Sequence, residues 1–223
     1  MSATRSKTPF KYNYILKGHT IEPVETTKYL GIAISYNMTW NALINNMTSK
    51  AQKLLGFLRR NLQIKNEHTK SMAYKSLVRS NLEYCSTIWS PHTKKQKSEI
   101  EKVQRRAARY TTGKFHNNSS VTSMLDHLEW NSLETRRKIA KVTMLCKITN
   151  NLVAINSDFY ISSQTSLTRH SHSLRYKPFS TSTDYFKFSF FPHTVVLWNA
   201  LPPDIVSASS LDQFKSQIQT HYI

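Results

Sequence analysis

"TWNALINNMTSKAQKLLGFLRR", residues 39–60, determines the expected fold class, because its apolar side chains recur with the period of an α-helix. Thr39 is a residue type that caps helix N-termini, and the basic residues lie mostly away from the apolar side. The sequence therefore predicts a long amphipathic helix that packs one side into a core. That side comprises Leu43, Ile44, Met47, Ala51, Leu54, Leu55 and Leu58.

The same signals predict two more helices downstream. One begins near Asn66, which with Thr69 has the spacing of an N-terminal cap. The other begins at Thr93, where Gln96 completes a capping box, and it ends at Gly113. The apolar positions of the helix after Asn66 are Met72, Ala73, Leu77, Val78 and Leu82.

The segment before these helices favours β structure. Residues 10–35 contain an alternating run, a turn around Gly18 and a second β-rich run, "KYLGIAIS". These features predict a small sheet that is too small to be stable by itself. The alternating side chains are Phe10, Tyr12, Tyr14 and Leu16.

The segment after these helices is more varied. "SVTSMLDHL" and "NSLETRRKIAKVTMLCKITN" predict a helical pair, the second opened by Asn131 with Glu134. A Ser/Thr-rich loop region follows Asn156, and "SFFPHTVVLWNALP" and "SLDQFKSQIQ" predict short helices, the last capped by Ser210 with Gln213. The predicted protein is mainly α, with a small N-terminal β element and a loop-rich region before short C-terminal helices. Its expected divisions are residues 1–38, 39–115 and 116–223.

The charge of the chain indicates its class of partner. Thirty-one Lys and Arg stand against 13 Asp and Glu, a net charge of +18. Such an excess attracts polyanions at long range and is not needed for folding. "IEKVQRRAARY", residues 100–110, concentrates it on one predicted helix, either as an ordinary solvated surface or as a nucleic-acid contact.

The nucleic-acid contact is the favoured interpretation, because the acids nearest to the run, Glu99 and Glu101, are too few to neutralise it. Four nearby aromatic residues could stack on bases or sugars, namely Tyr84, Trp89, Tyr110 and Phe115. We expect most of them to lie in the core, since Trp89 is at the apolar end of its helix. The residues predicted to bind nucleic acid are Lys50, Lys53, Arg59, Arg60, Lys94, Lys95, Lys102, Arg105, Arg106 and Arg109.

Several other classes of site are not expected. No signal-peptide core and no run of about 18–20 apolar residues is present, so we expect an intracellular protein, nuclear or cytoplasmic, without a membrane partner. Cys85 and Cys146 lie in apolar patterns typical of reduced buried thiols, and His170 and His172 lack the other ligands of a zinc site. Four glycines and no glycine-rich loop argue against a nucleotide cofactor. We expect no metal, no cofactor and no small-molecule substrate.

Three segments together resemble the C-terminal portion of reverse transcriptases from non-LTR, LINE-type retrotransposons of the jockey-like group. They are "TTKYLGIAIS" with "MTWNALINNMTSKAQKLLGFLRRNL", "AYKSLVRSNLEYCSTIWSPHTKKQKSEIEKVQRRAARY", and "SFFPHTVVLWNALPPDIVSASSLDQFKSQI". The resemblance covers about Lys11 to Ile218, in the order of the family. It implies that Tyr29, Leu30 and Gly31 correspond to a primer grip at the palm edge, and that residues 39–115 form a helical thumb holding template–primer duplex.

One departure from the family bears on activity. Its polymerases hold two metal ions with palm carboxylates that include an adjacent Asp pair. This chain has no adjacent Asp pair, and it lacks the acidic and His residues expected of the family's endonuclease. We therefore expect a truncated copy or an excised segment that is not an enzyme by itself.

The expected function is binding of an RNA–DNA hybrid or duplex through its backbone, as a fragment of an RNA-directed DNA polymerase. A protein–protein module is the alternative: the 43–58 helix could dock on a missing palm domain, or the chain could self-associate. A basic membrane-surface protein is the weakest alternative. It would need large apolar residues opposite its cations, whereas the helix from Thr93 to Tyr110 has mostly Ala and Val there.

Overall fold

The structure is a computed structural model that describes residues 12–116, 119–164 and 174–222. Helices dominate these residues, as the sequence predicts. The helices are α1 (Asn41–Asn61), α2 (Glu67–Ala73), α3 (Ser80–Glu83), α4 (Lys94–Thr112), α5 (Val121–His127), α6 (Leu133–Thr149), α7 (Asp184–Lys187), α8 (Phe190–Asn199), α9 (Pro203–Val206) and α10 (Leu211–His221). A π-helical segment, Tyr74–Arg79, joins α2 to α3, and a 3-10 turn spans Ser157–Phe159.

The N-terminal β element consists of two antiparallel hairpins rather than one sheet. The first pairs β1 (Ile15–Leu16) with β2 (His19–Thr20), and the second pairs β3 (Thr26–Tyr29) with β4 (Ile32–Ser35). Of the four strands, β4 alone contributes to the core, through Ile32, because β1, β2 and β3 are exposed along their whole length. The alternating run is only partly in a strand: Leu16 lies in β1, Tyr12 and Tyr14 precede it, and Phe10 lies outside the described residues.

Most predicted helix caps are confirmed. The side chains of Asn66, Thr93 and Ser210 each accept a hydrogen bond from the backbone N–H three residues on, at 3.0, 3.3 and 3.2 Å. Gly113 ends α4 in the left-handed conformation, with φ +67°. The Gln96 side chain does not return to its own cap, because its Nε2 donates instead to Asn41 Oδ1 at 2.7 Å.

Two predicted caps are wrong by one residue. Trp40 is the N-cap of α1 and makes no side-chain cap bond, because the Thr39 hydroxyl donates to Asn37 Oδ1 at 2.8 Å. Ser132, rather than Asn131, caps α6 and accepts from Thr135 N at 3.0 Å. At α6 the error comes from two adjacent polar residues with similar capping preference, whereas α1 begins after Trp40, a residue type that capping preference does not predict.

The buried side of the α2–α3 segment differs from the sequence prediction. Tyr74, Val78 and Leu82 are fully buried, whereas Leu77 is 45% exposed and Met72 is 53% exposed. The π-helical segment has more residues per turn than an α-helix, so Leu77, three residues after Tyr74, turns away from the side that Tyr74 and Val78 share. The predicted core positions of Leu77 and Met72 are therefore wrong.

The buried apolar residues form two clusters. The first runs from Ile32 through α1, the π segment and α4 to Leu133, and the second runs from Val142 through α8 and α9 to Ile218 in α10. Within the first, α1 and α4 pack in parallel: Gln96 contacts Asn41 near their N-termini, and the Tyr110 hydroxyl donates to Leu62 O at 2.9 Å near their C-termini. The division at residues 38 and 115 stays a prediction.

Candidate nucleic-acid interface

Helix α4 has one buried and one cationic side. Ile100, Val103, Ala107 and Ala108 are fully buried against the core. Lys95, Lys102 and Arg106 are separated by two turns and then one turn, so they lie along one exposed side of the helix. Lys94 and Arg105 are exposed beside them, and Arg109 is half-buried. Five of the six α4 cations that were predicted to bind nucleic acid are therefore exposed, and Arg109 is the exception.

The nearby acids do not neutralise this surface. Glu99 contacts Lys102 Nζ at 2.6 Å, and this hydrogen bond lowers the pKa of Glu99. Glu101 faces the other way: its Oε1 accepts from Glu134 N at 3.0 Å at the start of α6, and burial raises its pKa. Among the described residues, the side chains of Arg105, Arg106 and Arg109 have no acidic partner within 4 Å.

Acids elsewhere in the bundle are also tied to α6. Glu83 pairs with Arg136, and it lies 3.8 Å from Arg79. Glu134 accepts from Lys97 Nζ at 2.8 Å, and this contact holds its pKa low against the opposing effect of burial. The carboxylates thus concentrate on the α6 side of α4, which leaves the opposite side of the helix with an excess of positive charge.

The C-terminal ends of α1 and α4 bring distant cations together. Arg59 and Arg60 lie in the last turn of α1, Arg109 lies in the last turn of α4, and the Tyr110–Leu62 hydrogen bond joins these two ends. Cations near helix C-termini are favoured by the helix dipole. The Arg59 guanidinium also lies 5.7 Å from the centre of the Phe115 ring, which is itself 55% exposed.

The ten predicted residues do not form a single cluster. Helix α4 has 19 residues and is roughly 28 Å long, so Lys94 and Lys95 lie far from Arg109. Lys95 borders a groove of about 580 Å³ between the N-terminal ends of α1 and α4. Lys53 is exposed on the middle of α1, and Lys50 faces a different groove. The structure therefore presents an elongated series of cations rather than a compact site.

The predicted primer-grip residues lie at the end of the second hairpin, where Tyr29 is the last residue of β3 and Leu30 and Gly31 form the turn. Leu30 and Gly31 have φ values of +45° and +85°, which is the pattern of a tight two-residue hairpin turn. The Tyr84 hydroxyl donates to Leu30 O at 2.9 Å, and a Cβ at Gly31 would lie 3.3 Å from the Tyr84 ring. Gly31 thus permits both the turn and a close approach by Tyr84.

This turn borders a groove of about 710 Å³ between the second hairpin, α1 and α3. Lys50 lines the groove together with Lys28 and Gly31. The structure therefore brings one predicted nucleic-acid contact next to the predicted primer grip. The sequence did not single out Lys28 or the support from Tyr84, because Tyr84 is 54 residues from Leu30 and no local pattern joins them.

Two of the four aromatic residues expected to stack on nucleic acid are buried. Trp89 is 0% exposed and its Nε1 donates to Tyr84 O at 2.8 Å, and Tyr110 is 6% exposed. Neither ring is available to a base, and the burial of Trp89 agrees with the expectation that most of these aromatic residues belong to the core. Tyr84 and Phe115 remain more than half exposed.

The described residues contain two free cysteines, and they hold no candidate metal site and no helix that could span a membrane. Cys146 is buried, and Cys85 is half-buried in a turn after α3 with φ +51° rather than within a helix; both are free thiols. The described residues hold no group of three His, Cys, Asp or Glu side chains that could bind a metal. His170 and His172 lie outside them. None of the described helices combines the length and apolar character needed to cross a membrane.

Comparison with known proteins finds no family model, no curated protein and no solved structure that matches the chain. The resemblance to non-LTR reverse transcriptases therefore stays a prediction from the residues quoted above.

Proposed function

We propose that the chain binds nucleic acid through the phosphate backbone, as the C-terminal portion of a non-LTR retrotransposon reverse transcriptase. In this role the bundle around α1 and α4 acts as a thumb that holds template–primer duplex. The observation that carries the proposal is the set of ten basic residues at the surface of α1 and α4. Lys102 alone of these has an acidic partner within the described residues.

Phosphate contact explains the arrangement better than base recognition does. The cations are long side chains on rigid helices and extend over roughly 28 Å, a distance that spans several phosphates of one strand. Binding should therefore depend on charge and salt, and little on sequence.

Titration of a labelled RNA–DNA hybrid with the chain, at several salt concentrations, tests this proposal. The logarithm of the association constant should fall linearly with the logarithm of salt concentration, with a slope of about −0.9 per phosphate contact on a duplex. A second hybrid of scrambled sequence should bind equally well. Preference for one sequence, or a flat salt dependence, would contradict backbone binding.

The chain by itself should not polymerise, because the adjacent Asp pair of the family is missing from its sequence. Primer extension on an RNA template, with magnesium or manganese, should give no more product than a protein-free control. Template-dependent extension by purified chain would contradict this part of the proposal.

A protein–protein role is the second candidate, and the first hairpin favours it. Ile15 and Leu16 in β1 are 68 and 63% exposed, and Tyr12 and Tyr14, which precede β1, are 64 and 59% exposed. Leu30, in the turn of the second hairpin, is 74% exposed. Exposed apolar groups of this kind mark docking surfaces for a palm domain or a second copy. Sedimentation of the wild type and of an Ile15→Ser, Leu16→Ser variant over a range of concentrations tests this role. Concentration-dependent association that the variant loses would support docking. A wild type that stays monomeric at every concentration would count against self-association.

A further inference from the structure

Two basic side chains are buried where the two apolar clusters meet. Arg137 and Lys141 lie one turn apart on α6 and are 3 and 1% exposed. Lys and Arg are almost never fully buried unless a partner compensates their charge. Their surroundings should therefore contain that partner.

The hydrogen-bond partners present do not supply it. The Arg137 nitrogens Nη1 and Nη2 are buried and have no hydrogen-bond partner among the described residues. The guanidinium carbon lies 5.9 Å from the centre of the Trp89 ring, a contact that leaves the N–H groups unpaired. The one hydrogen-bond partner described for Lys141 Nζ is His193 Nδ1, at 3.2 Å. His193 is neutral near pH 7, because burial and the nearby Lys141 lower its pKa to about 4.

The local charges add to the deficit. Lys97 and Lys138 complete the basic lining, and Glu134 is the single carboxylate that lines the same cavity. Glu134 lies 2.8 Å from Lys97 and 3.7 Å from Lys138, so it is engaged at the rim. Glu101, the next acid on α4, accepts from the N-terminus of α6. Four cations thus converge with one carboxylate, and the two most buried cations have no acid within 4 Å in the described part of the chain.

The cavity itself is small and bordered by polar groups. Its volume is about 30 Å³, and Ser90, Pro91 and His193 close it opposite α6. A cavity of this size holds one or two water molecules, or one monatomic ion. Water would satisfy the N–H groups but would not offset the excess of four cations over one carboxylate in the lining of the cavity.

We propose that this cavity binds a small inorganic anion of the size of chloride, held by the Arg137 guanidinium and the Lys141 ammonium group. The anion accepts hydrogen bonds from the unpaired Arg137 N–H groups and neutralises part of the local positive charge. Because the lining residues come from α4, α6, α8 and the Ser90–Pro91 segment, the anion also joins the first apolar cluster to the second. The site does not depend on the nucleic-acid interface.

Thermal unfolding in chloride tests the proposal. The full chain is unfolded in mixtures in which sodium chloride progressively replaces sodium gluconate at constant ionic strength. Gluconate is an organic anion that is too large for the cavity. A ligand that binds the folded state alone raises the unfolding temperature as its concentration increases. The wild type should show a saturating rise with chloride, and the Lys187→Gln variant, altered at an exposed residue elsewhere, should show the same rise. Lys141→Met keeps the length of the side chain, removes its charge and should abolish the rise.

Two further readouts keep the test decisive if Lys141→Met does not fold. Crystals of the wild type grown with sodium bromide should show an anomalous peak between Arg137 and Lys141. Inorganic phosphate is too large for the cavity. Any rise in unfolding temperature that it causes should therefore be the same in the wild type and in Lys141→Met. A chloride response equal in Lys141→Met and wild type, a cavity without bromide, or a site-dependent response to phosphate alone would each overturn the proposal.

Discussion

Gly31 links the turn of the second hairpin to the helical bundle. Its φ of +85° is a conformation that L-residues adopt at a cost of about 1–2 kcal/mol, and a Cβ there would press on the Tyr84 ring at 3.3 Å. The hydroxyl of the same Tyr84 side chain donates a hydrogen bond to Leu30 O. One residue therefore controls both the turn and its attachment to the segment after α3.

Replacing Gly31 by Ala should therefore destabilise the protein by about 1–2 kcal/mol or more. Gly18→Ala is a matched control, because its φ is +81° but nothing lies within 4 Å of the added Cβ, and its hairpin is exposed. The free energy of unfolding in urea should fall clearly for Gly31→Ala and less for Gly18→Ala. Equal losses would mean that the Tyr84 contact contributes nothing.

His193 should make stability depend on acid. Burial, and then Lys141, lower its pKa from 6.5 to about 4, and Lys138 and Lys97 act in the same direction while Glu134 opposes them. Between these pH values the unfolded chain binds a proton that the folded chain does not bind, so stability is complete above about pH 6.5 and is lost as pH falls toward 4.

His193→Asn removes the imidazole that binds this proton and keeps a polar side chain. In gluconate buffer, the unfolding free energy of wild type should fall more steeply between pH 6.5 and 4.5 than that of the variant. Parallel curves would show that His193 does not titrate differently in the folded and unfolded chains.

At the scale of elements, the π-helical segment sets which side of the α2–α3 stretch is buried. Val78 is 0% exposed and its neighbour Leu77 is 45% exposed. Val78→Ala should cost about 1–2 kcal/mol, while Leu77→Ala should cost under about 0.5 kcal/mol despite removing more atoms. Chemical denaturation of both variants measures the difference. A larger loss for Leu77→Ala would restore the regular α-helical phase that the sequence predicted.

The elements show how far the sequence alone could lead. The period of residues 43–58 and the caps at Asn66, Thr93 and Ser210 are local signals, and the structure confirms them. The π-helical widening has no comparable sequence signature, so a 3.6-residue period placed Leu77 in the core. Two adjacent capping residues, Asn131 and Ser132, left the first residue of α6 ambiguous, and no capping preference points to Trp40 as the N-cap of α1.

The same limit applies to the candidate site. The exposure of the basic residues could be predicted because they lie opposite apolar stripes. The contact of Tyr84 with Leu30, the burial of Trp89 and Tyr110, and the convergence of Arg137 and Lys141 depend on residues distant in sequence. Arg137 and Lys141 look like solvated charges in the sequence, and only the packing of α6 against α4 and α8 shows them to be buried.

At the scale of the whole molecule, the net charge of +18 is unevenly arranged. Acids such as Glu83, Glu101 and Glu134 are held on the α6 side of the bundle, and the outer side of α1 and α4 keeps its cations. Diffuse attraction of any polyanion needs only the net charge, whereas the proposed interface needs these particular cations. Variants that remove equal charge from different places separate the two.

The most direct measurement compares two triple variants in binding to an RNA–DNA hybrid across a salt series. The first variant removes three cations from α4 and keeps helix propensity, with the substitutions Arg105→Gln, Arg106→Gln and Arg109→Gln. The control removes the same charge elsewhere, with Lys147→Gln, Lys177→Gln and Lys187→Gln. Circular dichroism first establishes that both variants fold. The α4 variant should bind every sequence more weakly, with a salt slope shallower by up to about three contacts, and the control should stay close to wild type. Equal losses in the two variants would contradict an interface on α4.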